Sequence, residues 1–177
     1  MTLSYLLAQA NAVRRTPLRT RTFTRRLKRN DPAFSAMTDF LTDPPLTVAE
    51  SARVEDAIDQ MFRLGVRSFL VVRDRHVIGL MTARQAALSS VHHRYVTDVM
   101  TPTDDAPAID WGTLGESQVE DLLEIFDGSG VDHLVVIESR SATLSCVRGL
   151  VYHDRLRRLT SPWALNHSSS TRSYTAR

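Results

Sequence analysis

The stretch VEDAIDQMFRLGVRSFLVV, residues 54–72, decides the fold, because a variant of it returns at residues 119–137 as VEDLLEIFDGSGVDHLVVI. The two copies align without a gap at an offset of 65 residues, and both open with Val-Glu-Asp. Self-similarity at a fixed spacing is the mark of a repeated structural unit. The sequence therefore predicts two units of the same design.

Each copy predicts a helix that ends at a glycine. Apolar residues recur at the i, i+3, i+4, i+7 spacing of an amphipathic helix. They are Val54, Ala57, Ile58, Met61 and Phe62 in the first copy and Val119, Leu122, Leu123 and Phe126 in the second. Gly65 and Gly130 follow at positions typical of a left-handed helix end. Ser117 lies three residues before Glu120, which predicts a capping box at the start of the second helix.

Short apolar runs after each glycine predict strands. FLVV (69–72) and LVVI (134–137) are short and rich in valine, as buried strands are. A polar turn, a second apolar run with a glycine and a short helical segment follow each of them. The second runs are VIGLMT (77–82) and VRGLVY (147–152), and the strands before the helices are LTV (46–48) and the weaker Ala108–Ile109. A strand–helix–strand connection predicts a parallel pair, and a strand–turn–strand connection an antiparallel pair.

Each unit therefore reads as β-α-β-β-α, which predicts an α/β (α+β) fold. The stretch VTDVMTP (96–102) lies between the units, and AMTDFLTDPPLTV, from Ala36, carries a similar Met-Thr element before the first unit. This order of motifs, found twice, resembles a tandem pair of cystathionine-beta-synthase (CBS) domains, the Bateman module, over about residues 44–160. The resemblance implies two CBS units packed as a pseudo-two-fold pair, with basic N- and C-terminal extensions.

The resemblance also implies a division of the chain and a role. The expected parts are a basic N-terminal extension (1–43), CBS domain 1 (44–95), a linker (96–104), CBS domain 2 (105–160) and a basic C-terminal tail (161–177). Members of this family are regulatory, bind AMP, ADP, ATP or another adenosyl ligand between the two domains, and commonly stack as dimers. We therefore expect a stand-alone pair that forms a homodimer, senses an adenosine nucleotide and signals to a protein partner.

The family's nucleotide signature, G-h-h-[T/S]-x-x-[D/N] with h apolar, directs attention to the end of each unit. The first copy starts at Gly79 and has Thr82 at the hydroxyl position, where a hydroxyl and helix N-terminal amides suit phosphate oxygens. Arg84 is placed to reach a phosphate, and Gln85 replaces the acid. The alternative interpretation is that Thr82 only caps a helix.

The second copy departs from the signature at both polar positions. It starts at Gly149 and has Tyr152 where the signature has Thr or Ser, and Arg155 where the signature has Asp or Asn. Asp154 lies one residue before the signature's acidic position. Tyr152 is equally well explained as a packed aromatic. By the same resemblance, the Met-Thr element of the linker is expected beside the adenosine. The predicted nucleotide-binding residues are Thr82, Arg84, Gln85, Gly79, Met100, Thr101, Gly149, Tyr152 and Arg155.

Composition points to a globular protein without a catalytic or metal site. Of the 177 residues, 42% are hydrophobic and 24% charged, an ordinary balance for a packed domain. Cys146 is the only cysteine, which excludes an intrachain disulfide and favours a reducing, cytoplasmic location. The pattern of a secretory signal is missing, and the chain contains neither a P-loop nor a cysteine cluster. The pair His92–His93 makes a poor metal site, so we expect no enzyme and no metal.

Charge is concentrated at the two ends. Residues 1–30 contain eight Arg or Lys and no acid, and residues 155–177 contain five Arg and no acid. This pattern supports an alternative function, a ligand-free dimerisation or interaction module that works through its basic tails. A weaker alternative is binding of nucleic acid or an anionic surface through the arginine-rich arm.

Overall fold

The computed structural model describes residues 4–5, 26–89, 94–141 and 144–161. Its strands are β1 (Ser4–Tyr5), β2 (Thr38–Asp39), β3 (Thr47–Ala49), β4 (Ser68–Arg73), β5 (His76–Thr82), β6 (Thr101–Pro102), β7 (Ala108–Asp110), β8 (His133–Ser139) and β9 (Leu144–Tyr152). Its helices are α1 (Val54–Leu64), α2 (Ala83–Leu88), α3 (Trp111–Glu116), α4 (Val119–Ser129) and α5 (His153–Thr160), with short 3-10 turns at Ala33–Ala36 and Val96–Asp98.

The predicted repeat is confirmed by two sheets of the same topology. In the first unit β3 pairs parallel to β4, and β4 pairs antiparallel to β5. In the second unit β7 pairs parallel to β8, and β8 pairs antiparallel to β9. The glycine helix ends are confirmed as well, because Gly65 and Gly130 have φ values of 64° and 67°.

Each sheet is completed by the segment that leads into the other unit. Strand β6, which leads into the second unit, pairs antiparallel to β5 of the first. Strand β2, which leads into the first unit, pairs antiparallel to β9 of the second. Strand β1 also pairs with β9, in parallel. The two Met-Thr elements therefore exchange partners, and the two units cannot be separated without breaking sheet pairing.

The buried core of the described residues consists of three apolar clusters, of which the third joins the two sheets. One lies between the helices and the first sheet and includes Phe69, and another lies between the helices and the second sheet and includes Phe126. The third joins the two sheets through residues that alternate along the strands with those of the first two clusters. It contains Leu70, Val77, Leu80, Val135 and Leu150. The sheets thus pack face to face with helices on both outer sides.

Part of the segment that the sequence interpretation treats as an N-terminal extension packs on the second unit. Leu27 and Met37 are buried in the cluster that contains Phe126. The amide of Val119 donates to the carbonyl of Asp31 at 2.9 Å, just as the amide of Val54 donates to that of Arg94 in the first unit. The residues before β2 therefore do for the second unit what the residues before β6 do for the first.

The start of the second unit's long helix differs from the sequence expectation. Ser117 ends an additional short helix, α3, and the helix α4 begins one residue later with Gln118 as its cap. The capping box joins Gln118 to Asp121 rather than Ser117 to Glu120. The physical reason is α3 itself, whose own cap, Asp110, accepts a 2.7 Å hydrogen bond from the amide of Gly112.

A network around Arg148 fixes β2 to β9. Its Nε and Nη2 donate to the two carboxylate oxygens of Asp39, both at 3.0 Å, and Nη1 lies 3.3 Å from Glu138. The guanidinium also stands over the ring of Trp111, 4.6 Å from its centroid. Bidentate pairing and a cation–π contact on one planar group hold this short strand in register.

Glycines occupy both points where a Met-Thr element crosses a sheet. A Cβ added at Gly79 would lie 2.7 Å from the sulfur of Met100 and 2.7 Å from the carbonyl oxygen of Thr101. A Cβ at Gly149 would overlap the carbonyl oxygen of Thr38 and lie 2.8 Å from the sulfur of Met37. Backbone approaches backbone at both points, so neither site can relax by moving a side chain alone.

We expect Gly79→Ala and Gly149→Ala each to lower the free energy of unfolding by about 1–3 kcal/mol, because the crossing strand must shift. Chemical denaturation monitored by circular dichroism measures the change. Gly128→Ala is the matched control, since its added Cβ would meet no atom within 4 Å. It should be neutral or raise stability by about 0.5–1 kcal/mol. Equal stabilities of all three variants would contradict the crossing constraint.

His133 is a buried histidine at the start of β8. It is 8% exposed, and neither ring nitrogen has a hydrogen-bond partner in the described part of the chain. Burial lowers the pKa of His133, although the charge of Asp132 opposes this in part. As pH falls through the ordinary titration range of histidine, the unfolded chain gains a proton that the folded chain resists, so stability is lost.

We expect the unfolding midpoint of the wild-type protein to fall more steeply between about pH 7 and pH 5 than that of His133→Leu, which removes the group. Thermal unfolding across this range measures both slopes. Other titrating groups are common to the two proteins, so the difference between the curves isolates His133. Parallel curves would show that the imidazole does not contribute.

Candidate functional site

A cleft of about 430 Å³ opens between the two units at one end of the paired sheets. We call it cleft A. Its apolar wall contains Phe40, Pro44, Pro45, Leu46, Val66, Leu70 and Leu150. Its polar lining contains Thr38, Ser68, Tyr152, Asp43, Arg67, Asp154, Arg155 and Arg158. Both units contribute apolar residues and polar residues to the lining, so the cleft exists only when the two units are packed together.

The second unit supplies the floor of cleft A through the junction of β9 and α5. Residues alternate across a strand, so Leu150 and Tyr152 share the face that looks toward the first sheet. The helix α5 starts directly after Tyr152 and carries Asp154 and Arg155 in its first turn, with Arg158 one turn on. The first unit faces them with Arg67 and Ser68, which follow the glycine end of α1.

The hydroxyl of Tyr152 makes a hydrogen bond with the hydroxyl of Ser68 and so links the two units. Burial raises the pKa of Tyr152, while the bond to Ser68 and the charges of Arg155 and Arg67 lower it in part, with a net increase. Tyr152 therefore stays protonated at neutral pH. Its hydroxyl lies within the electrostatic reach of two guanidiniums.

Arg155 is the half-buried cation of cleft A. Its Nη1 donates to the hydroxyl oxygen of Thr38, the threonine of the first Met-Thr element. Burial lowers the pKa of Arg155, and the nearby Tyr152 and Asp43 raise it only in part. A guanidinium remains charged despite this shift, and it offers only donors. An anion entering the cleft would offset its lost hydration.

Two exposed arginines stand at the mouth of cleft A. Arg67 forms an ion pair across the cleft with Asp154, and Arg158 lies 3.6 Å from the same carboxylate. With Arg155 and Asp43 added, the described residues of the lining supply three guanidiniums and two carboxylates. Cleft A is therefore cationic overall and suited to an anionic ligand.

The corresponding groups of the first unit bond to each other. Thr82 caps α2, accepting from the amide of Gln85 at 3.2 Å, and its own amide donates to the Gln85 side chain at 2.8 Å. The side-chain nitrogen of Gln85, Nε2, donates to the hydroxyl of Thr101, as the guanidinium of Arg155 does to the hydroxyl of Thr38. The polar groups predicted to bind a ligand here already have protein partners.

Arg84 completes this comparison with a reversed charge pair. Its Nη1 contacts the two carboxylate oxygens of Asp132 at 2.7 and 2.6 Å. In the repeat, Arg84 corresponds to Asp154 and Asp132 to Arg67. The same ion pair thus joins the units at both ends, with the sign of each partner exchanged. Of the two junctions, the one at cleft A carries an additional cation because Arg155 corresponds to the neutral Gln85.

The structure brings together only part of the predicted set. Tyr152 and Arg155 line cleft A, where sequence reasoning expected the weaker site. The two signature glycines and Met100 are packed at the strand crossings described above. Sequence reasoning missed Thr38, Arg67 and Arg158. The repeat could have pointed to Thr38 and Arg67, because Thr38 aligns with Thr101 and Arg67 aligns with Asp132.

Neither a candidate metal site nor a candidate membrane span is found among the described residues. Within residues 4–5, 26–89, 94–141 and 144–161, no three His, Cys, Asp or Glu side chains are grouped as a metal site would require. None of the helices in these ranges has both the length and the apolar character that a membrane span needs. The pair His92–His93 and most of both basic ends lie outside the described residues.

Comparison with known proteins gives one family match and several structures of similar fold. Residues 37–87 match the family described as "CBS domain". A comparison with curated protein sequences found no match. Among solved structures, the CBS domain of a bacterial CNNM/CorC family Mg²⁺ transporter in complex with ATP has a TM-score of 0.53 at 16% identity, over 75% of this chain and 88% of that one.

Two further structures show the same fold. An uncharacterized conserved protein from Pyrococcus horikoshii has a TM-score of 0.55 at 17% identity, over 85% of this chain and 100% of that one. CBSX2 in complex with AMP has a TM-score of 0.51 at 16% identity, over 72% of this chain and 94% of that one. Residues 37–87 thus match the CBS-domain family, and the described chain has the α/β fold of CBS-domain structures.

Proposed function

We propose that this chain is a regulatory CBS pair that binds an adenosine nucleotide in cleft A and passes its ligand state to a protein partner. The observation that carries the proposal is cleft A itself, an open cavity with an apolar wall and a cationic floor between two units. On this proposal the protein is a sensor rather than an enzyme, and it acts in the cytoplasm.

The dimensions and chemistry of cleft A suit a nucleotide. Its volume of about 430 Å³ lies in the usual range for small-molecule sites, about 300–1,000 Å³. The apolar wall, with Phe40 and Leu46, offers a surface to the base, while the arginines offer charge-assisted hydrogen bonds to phosphate. The similar structures of the bacterial transporter domain and CBSX2 contain ATP and AMP, respectively.

A ligand in cleft A would contact both units, which provides a mechanism for signalling. Arg67 and Ser68 belong to the first unit, and Tyr152 and Arg155 belong to the second. A ligand that binds one arrangement of the two units more tightly than another shifts the population toward it by its difference in affinity. A partner that recognises the favoured arrangement then responds to the nucleotide.

Assembly of two chains is a second part of the proposal. Phe62 on α1 is 88% exposed, Leu88 at the end of α2 is 76% exposed, and Ile58 on α1 is also exposed. The residue that corresponds to Phe62 in the second unit is Asp127, so this apolar patch belongs to the first unit alone. Exposed apolar patches mark association surfaces, and we propose that two chains form a homodimer through this one.

We expect AMP, ADP or ATP to raise the unfolding temperature of the purified protein by several degrees at about 100 times the dissociation constant, because a ligand of the folded state stabilises by mass action. S-adenosylmethionine belongs in the same screen. Thermal shift measures the effect, and calorimetry gives the dissociation constant. No shift at millimolar concentration of any of the four would contradict the sensor and favour the ligand-free interaction module.

Two adjacent arginines, Arg157 and Arg158, provide a matched test of whether the nucleotide binds in cleft A. Arg158→Gln removes a cation that lines cleft A, and we expect it to weaken nucleotide binding about three- to tenfold. Arg157→Gln is the control, because Arg157 is similarly exposed on the same helix but pairs with Asp127 away from the cleft. Equal affinities of the two variants would move the nucleotide to another place.

For the homodimer, we expect Phe62→Asp to convert a dimer to a monomer, since two charges would be buried at the contact. Light scattering coupled to size exclusion reports the mass. Leu41→Asp is the control, because Leu41 is a comparably exposed apolar residue outside the patch. A wild-type protein that is monomeric at high concentration would contradict this part of the proposal.

A further inference from the structure

Cleft A holds cations at two different depths. Arg155 is half-buried and bonded to Thr38 on the inner side. Arg67 and Arg158 are exposed at the mouth, with 58% and 63% of their side chains accessible. The hydroxyl of Tyr152 bonds to Ser68, the residue that follows Arg67. The cleft therefore offers two positions for negative charge.

The inner position does not fit an unmodified sugar well. A ribose diol is best held by a carboxylate, which accepts hydrogen bonds from both hydroxyls, whereas a guanidinium can only donate. A phosphate ester on the sugar would accept charge-assisted bonds from the same guanidinium, which are about twice as strong as neutral ones. In dinucleotide-binding folds, the same exchange of an acid for an arginine accompanies the change from a free 2′-hydroxyl to a 2′-phosphate.

The carboxylates of the lining do not cancel its positive charge. Asp154 is paired with Arg67 and lies close to Arg158. Asp43 lies on the segment before β3, and its charge raises the pKa of Arg155. Two carboxylates against three guanidiniums leave the described lining with a net positive charge before a ligand enters.

We propose that Arg155 makes cleft A selective for adenosine nucleotides that carry a phosphate on the ribose in addition to the 5′-phosphate. The inference rests on the proposed function, because it assumes that cleft A is the nucleotide site. In this arrangement the ribose phosphate meets Arg155 at the inner level, and the 5′-phosphate meets Arg67 and Arg158 at the mouth. The first unit lacks this selectivity because Gln85, a neutral donor, stands at the corresponding position.

The test compares four ligands on the full-length protein by isothermal titration calorimetry at one fixed ionic strength. They are AMP, ADP, adenosine 2′,5′-bisphosphate and adenosine 3′,5′-bisphosphate. We expect at least one bisphosphate to bind about tenfold or more tightly than AMP, as one additional charge-assisted contact provides. ADP has its additional phosphate on the 5′ chain and should not show the same gain.

Arg155→Gln tests the residue. Glutamine is chosen because Gln85 makes the corresponding bond to Thr101, so the variant can still donate to Thr38 and keep the junction of β2 and α5 intact. We expect the ratio of the AMP and bisphosphate dissociation constants to fall to about one. Arg157→Gln, the control used above, should keep the wild-type ratio. Thermal unfolding of both variants verifies that they are folded.

The outcomes separate this inference from the function on which it rests. If AMP binds and neither bisphosphate binds more tightly, the selectivity is wrong while the nucleotide site stands. An equal gain for ADP, or a ratio that persists in Arg155→Gln, also overturns the assignment to Arg155. If none of the four ligands binds, the proposed nucleotide function fails together with the inference.

Discussion

The close approach of two backbone segments at Gly79 and Gly149 is the constraint on which the structure depends. At each glycine a Met-Thr element crosses a sheet of the other unit, and a side chain there would collide with backbone as well as with a methionine. Because the crossing strands are only two residues long, ladder hydrogen bonds alone hold them weakly. The methionine packing, the Arg148 network and the buried residues before β2 supply the remaining attachment.

The same crossings position the polar groups at both strand–helix junctions. Thr38 and Thr101 lie at equivalent points, and each accepts a hydrogen bond from the seventh residue of a signature, Arg155 for Thr38 and Gln85 for Thr101. The donor belongs in each case to the unit whose sheet the threonine's strand completes. One scaffold thus presents two equivalent sets of positions, and substitution has made them different. Gln85 and its partners form a closed neutral network, whereas Arg155 leaves a cationic cavity. A duplicated framework tolerates this divergence because the apolar core between the sheets is independent of the polar residues at its ends.

The sequence predicted the helices and strands whose apolar residues recur at a regular spacing, and it did not predict the elements that lack such a spacing. The helices α1 and α4 and the strands β4, β5, β8 and β9 follow directly from apolar spacing and glycine caps. The pairing of β2 with β9 was out of reach, since two residues carry no periodicity and their partner lies more than a hundred residues away. The helix α3 was missed because its start is set by the side chain of Asp110 rather than by an apolar stripe.

The candidate site could be predicted only in part. The signature pointed to the strand–helix junctions that end β5 and β9, and Tyr152 and Arg155 at the second junction line a cavity. Whether a junction is open depends on which neighbours its side chains find across the interface, and sequence alone does not state this for Thr82 or Gln85. Departure from a family pattern was a reason for doubt at Arg155. In the structure that departure gives the open cleft its charge.

The exchange of lead-in segments has a consequence for the history and folding of the chain. A single unit with its own lead-in would have an unsatisfied sheet edge and a Met-Thr strand with nowhere to lie. Two such polypeptides would complete each other by swapping these strands, so the present chain has the form of a swapped dimer fused into one polypeptide. Folding of the fused chain must accordingly close contacts between segments more than a hundred residues apart, such as β2 and β9, and contacts of this kind slow folding.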